Sequence, residues 1–110
     1  MTSRTLQLAF LIALFPALLL AQATLRGRVT DQESGQPLPG ANVQVQGTLR
    51  GAVADANGRF LITQVPEGIY AVRASMMGYR SRLLEKISLS SSREVVLDIK
   101  LKPTPIEMDP

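Results

Sequence analysis

From Thr24 onward the sequence keeps an apolar period of two, and keeps it only in short bursts. In Ala41-Asn42-Val43-Gln44-Val45-Gln46 the odd positions are apolar and the even ones polar, the pattern of a strand with one face in a core. Val95, Leu97, Ile99 and Leu101 alternate with Val96, Asp98 and Lys100 in the same way. Tyr70, Val72 and Ala74 share a face, as do Phe60 with Ile62 and Leu25 with Val29, the last pair separated by Gly27. A sixth segment, with Leu83, Ile87 and Leu89 as its apolar side, places Glu85 on the same phase, which marks a bulge or an edge strand.

Turn chemistry separates these bursts. Asp31-Gln32-Glu33-Ser34-Gly35, Pro37-Leu38-Pro39-Gly40, Asp55-Ala56-Asn57-Gly58, Pro66-Glu67-Gly68 and Met77-Gly78 are read as turns. Asp and Asn fold their side chains back on their own backbone, and Gly takes the positive φ that closes a tight reversal. Short strands at this spacing, with no helical run of ten, predict an antiparallel β-sandwich or barrel.

The first 23 residues read differently. Arg4 precedes an apolar run from Leu8 to Leu20 that is shorter than the roughly 20 residues needed to span hydrocarbon as a helix. Ala21-Gln22-Ala23 then supplies the small-x-small pattern that signal peptidase accepts. We expect a signal peptide over 1–23, cut after Ala23 with Ala21 as the alternative, and export from the cytoplasm. The folded domain is expected over 24–102. Residues 103–110 hold three prolines, cannot continue a sheet, and read as a linker.

Composition narrows the chemistry. The chain has 110 residues, no Cys and no His, and a formal charge of +3. Disulfides and thiolate chemistry are excluded, and so are the usual neutral-pH base and the commonest metal ligand. Asp55-Ala56-Asn57-Gly58 opens like a calcium loop, but Pro66 stands where the twelfth-position Glu belongs, so a hairpin turn is expected there. Ser90, Ser91 and Ser92 have no His to activate them and are read as a loop. Asp31 and Glu33 flank a turn and are read as solvated. Phe60, Tyr70 and Tyr79 suggest an aromatic platform for sugar, against the simpler reading of core packing. The arginines and lysines are dispersed along the chain, which argues against nucleic acid as a partner. No catalytic, cofactor-binding or metal-binding residue is assigned.

The order of the motifs adds a resemblance. Gly27-Arg28-Val29-Thr30-Asp31, Gly35-Gln36-Pro37-Leu38-Pro39-Gly40-Ala41-Asn42-Val43, Gly47-Thr48, Gly51-Ala52-Val53-Ala54-Asp55-Ala56-Asn57-Gly58-Arg59-Phe60, Val65-Pro66-Glu67-Gly68-Ile69-Tyr70 and Gly78-Tyr79 follow one another. This succession, over nearly all of 24–102, resembles the carboxypeptidase-regulatory-like domain. The resemblance implies a transthyretin-like, seven-stranded antiparallel Greek-key sandwich with no catalytic role of its own. It also implies the setting in which such domains stand at the N-terminus of TonB-dependent outer-membrane receptors. That setting is the periplasm, ahead of a plug and barrel, with protein partners there and with Ile106-Glu107-Met108-Asp109-Pro110 where a TonB-pairing segment would begin. No plug or barrel follows within these residues, so the expectation is an N-terminal fragment of such a receptor. The alternative is a free-standing secreted module that binds glycan or peptide. A regulatory domain beside a metallocarboxypeptidase would need a catalytic domain elsewhere.

Overall fold

The computed structural model describes residues 21–105. Most of the expected leader, residues 1–20, and the expected partner-pairing segment, 106–110, lie outside them. The described residues form seven strands: β1 (Gln22–Asp31), β2 (Asn42–Val45), β3 (Gly51–Val53), β4 (Arg59–Pro66), β5 (Gly68–Ser75), β6 (Arg82–Leu89) and β7 (Val95–Leu101). A three-stranded sheet, β4-β1-β7, faces a four-stranded sheet, β3-β2-β5-β6.

The alternation seen in the sequence is what seals the space between the sheets. Leu25 and Val29 of β1, Val43 and Val45 of β2, Phe60 and Ile62 of β4, Val72 and Ala74 of β5, and Ile99 and Leu101 of β7 are all buried in one cluster. Gly27 shares this inner face because a side chain does not fit: a Cβ there would run into the Leu97 carbonyl oxygen and the Phe60 ring. Phe60 thus fills the space that Gly27 leaves, and β7 can approach β1 closely.

Three features depart from the sequence reading. The sandwich is antiparallel except for one pair, since β7 runs parallel to β1 from Leu25↔Val95 to Asp31↔Leu101. The reason is that β7 enters its sheet by crossing over from β6 in the other one, so no hairpin sets its direction. The Asp55–Gly58 reversal likewise joins β3 to β4 across the two sheets, so it is an arch and not a hairpin. Its local chemistry is as expected, with Asp55 Oδ1 accepting from the Asn57 and Arg59 amides at 2.9 Å each. In β6 Leu84, like Ile87, is half-buried, while Leu83 is 50% exposed. A bulge sets Glu85 and Lys86 opposite Ala71 and moves the phase by one residue. β1 itself begins at Gln22, with Ala23 buried and paired with Val65.

Candidate functional site

The outer face of the three-stranded sheet carries a grouping of charged side chains. Strand register sets them in two cross-strand rows. Leu61, Arg26 and Val96 form one, and Arg59, Arg28 and Asp98 the other. Between the rows the inward-facing Phe60, Gly27 and Leu97 leave only backbone, and a shallow groove of about 510 Å³ opens there. Arg26 Nε pairs with Glu94 Oε1 at 3.2 Å, and Arg28 Nε donates to the Asn57 carbonyl at 3.2 Å. Arg59 has no ion pair among the described residues. Placing Arg28 directly opposite Arg59 sets like charges face to face, an arrangement that weakens a sheet and favours an anionic group lying across it.

A second basic groove lies where the end of β7 meets the start of β6. Arg80, Arg82, Lys100 and Lys102 line it with Gln32 and Ser81. The Arg80 amide donates to the Lys102 carbonyl at 2.9 Å and Arg82 Nη1 to the Lys100 carbonyl at 3.1 Å, so the seam itself holds these cations together. Cations dispersed along the chain are therefore gathered in space. The inward-outward alternation places each arginine on an outer face, but only the strand order makes Arg26, Arg28 and Arg59 neighbours.

The residues weighed from sequence fall elsewhere. Phe60 is buried in the core, Tyr70 donates its hydroxyl to the Pro66 carbonyl at 2.7 Å, and Tyr79 donates to Asp31 Oδ2 at 2.7 Å. Each aromatic is engaged within the fold. Asp31 Oδ1 also accepts from the Glu33 and Ser34 amides at 2.7 and 3.0 Å. The Tyr79 hydroxyl, and then the two amides, hold the Asp31 carboxyl below its ordinary range, and Asp31 in turn holds the Tyr79 phenol above its own. Ser90–Ser92 occupy the β6–β7 connection, where Glu67 accepts from the Ser91 amide and hydroxyl at 2.7 and 3.1 Å. Those bonds lower the Glu67 carboxyl. Among the described residues, no three acidic side chains gather as a metal site would require.

These grooves present guanidinium and ammonium groups, backbone and a few apolar side chains. That is the chemistry of recognition at a surface, where arginine forks onto carboxylates or phosphates. A TonB-dependent receptor of Formosa agariphila, P39, is 35% identical over 82 residues, which is 74% of this chain and 7% of the receptor. A second receptor of that organism, P3, is 30% identical over 78 residues, 71% of this chain and 8% of the receptor. The chain thus spans less than a tenth of the length of either relative. Among solved structures, a type II cohesin–X-dockerin complex from Acetivibrio cellulolyticus contains a chain that superposes with a TM-score of 0.64 at 26% identity, covering 72% of this chain and 56% of that one. Residues 24–102, a span that begins within β1 and ends just past β7, match the carboxypeptidase regulatory-like domain, and the chain belongs to that family.

Proposed function

We propose that this chain is a non-catalytic accessory domain of a TonB-dependent uptake receptor, exported by its N-terminal leader and working in the periplasm at the outer membrane. Its task on this reading is contact with protein partners, among them the plug or barrel of the receptor. The observation that carries the proposal is the alignment of almost three quarters of the chain with short stretches of two TonB-dependent receptors. The cation-lined grooves, one on a sheet face and one at the seam of β6 and β7, add support, because they offer ion pairing to a protein surface. So does the likeness to a chain solved within a cohesin–dockerin complex.

Reading the coding sequence beyond Pro110 tests this directly. A frame that continues into a plug and alternating barrel strands, or resumes after a single lesion, is the expected result. A stop codon with no receptor gene beside it overturns the proposal.

A further inference from the structure

Two facing sheets leave four strand edges, and three of the four here are blunted. β3 is only three residues long. β4 and β6 each carry one extra residue, and at each bulge a non-glycine residue takes left-handed backbone, Gln64 and Lys86, both at φ 59°. Bulges twist an edge away from a further strand, and short edges offer little to pair with. β7 has neither device. It runs seven residues, without proline or bulge, in unbroken register with β1.

The free side of β7 can be read from its hydrogen bonds. The Leu101 carbonyl accepts from Gln32, on the β1 side, so the odd residues turn toward β1 and the even ones outward. The Lys100 and Lys102 carbonyls do point outward, to Arg82 and Arg80. The outward N–H and C=O groups of Val96 and Asp98 have no partner among the described residues. The flank beside them is loosely closed, since Leu84 and Ile87 of β6 and Val95 and Leu97 of β7 are only partly buried.

We propose that this edge pairs with the same edge of a second copy, antiparallel about a two-fold axis at Leu97, joining two three-stranded sheets into one of six. Parity and charge together choose the register. Only even residues face outward, so even must meet even. Val96 opposite Asp98 of the second copy places Glu94 opposite Lys100, and the symmetry repeats that attraction. Moving one step in one direction sets Glu94 against Asp98, and in the other sets the two Asp98 carboxylates face to face. The ladder then consists of Val96 and Asp98 from each copy, closed at both ends by Glu94–Lys100 pairs, and it covers the half-exposed apolar flank.

The test is sedimentation of the full chain, expressed with its own leader, between about 1 µM and 1 mM, the range in which small interfaces associate. A concentration-dependent dimer is expected. Lys100→Glu sets glutamate against glutamate twice and should weaken it about tenfold or more, and Glu94→Lys should do the same. Combining the two substitutions restores opposite charges and should restore the dimer. Val96→Pro removes an outward N–H without touching a bond to β1 and should give a monomer, its fold checked by circular dichroism. A chain that stays monomeric at 1 mM overturns the proposal, as does a dimer that ignores the charge swaps.

Discussion

Gly58 is fixed by two separate constraints that substitution can distinguish. Its φ is +75°, which costs an L-residue about 1–2 kcal/mol. A Cβ would also lie 2.6 Å from the Val29 carbonyl oxygen and 3.0 Å from Pro37 Cβ. Gly35 has nearly the same φ, +76°, but nothing lies within 4 Å of its would-be Cβ. Gly35→Ala should therefore show the conformational cost alone, about 1 kcal/mol by urea denaturation. Gly58→Ala should lose about 1 kcal/mol or more beyond that, because backbone must move to admit the methyl. Equal losses would show that Val29 and Pro37 yield freely. The Asp31–Tyr79 hydrogen bond makes a second prediction at this scale, and its sign follows from the two shifts. Asp31 is lowered, so its contribution is present above the ordinary carboxylate range, near pH 4, and is lost as pH falls through its folded value. Tyr79 is raised, so its contribution is present below the ordinary phenol range, near pH 10, and is lost as pH rises through its folded value. Subtracting the stability curve of Tyr79→Phe from that of the wild type should give a plateau between those limits that declines at both ends. A flat difference would mean that the hydroxyl contributes nothing through Asp31.

At the level of the elements, the start of β1 matters most. Gln22 and Ala23 pair with Pro66 and Val65, and Ala23 is 1% exposed. A chain beginning at Thr24 loses a buried methyl, about 0.8 kcal/mol, and one or two ladder hydrogen bonds at about 1 kcal/mol each. We expect it to unfold about 2–3 kcal/mol more easily than one beginning at Gln22, measured side by side in denaturant. Identical midpoints would place the effective start of the fold at Thr24. The period of two made the strands with a buried face legible from the sequence alone: Val43 with Val45, Phe60 with Ile62, and Ile99 with Leu101 lie where it put them. β3 was not legible. Three residues with an exposed Val53 hold too little alternation to be noticed, and the strand exists because β2 offers it a partner. The phase of β6 failed at Leu83 because a bulge changes which residue faces inward without changing composition. The cationic grooves were legible only by half. Alternation turns Arg26, Arg28 and Arg59 outward, but a turn such as Asp55–Gly58 reads the same whether it closes a hairpin or crosses between sheets. Strand order, and with it the neighbours of each arginine, is therefore not written locally.

For the whole molecule, the question is whether two sheets with different strand counts act as one unit. β1 is bonded on both sides, antiparallel to β4 and parallel to β7, and β2 and β5 are the corresponding inner strands opposite. The core cluster draws on both sheets, with Leu25, Ile62 and Ile99 from one and Val43, Val45 and Val72 from the other. A domain this small buries too little surface to divide its core into independent halves. Native-state hydrogen exchange can decide the matter with a mild perturbation at one side. Ile62 is 2% exposed in β4, and Ile62→Val removes one buried methylene at a cost of about 1 kcal/mol. The Val29 amide, bonded to the Gly58 carbonyl, reports on the three-stranded sheet. The Gln46 amide, bonded to the Ala71 carbonyl, reports on the four-stranded one. If global unfolding is the only route by which both amides open, the substitution should lower their protection by the same amount, about fivefold. Protection that falls at Val29 and holds at Gln46 would show the four-stranded sheet surviving alone, and the shared core would then be two cores in contact.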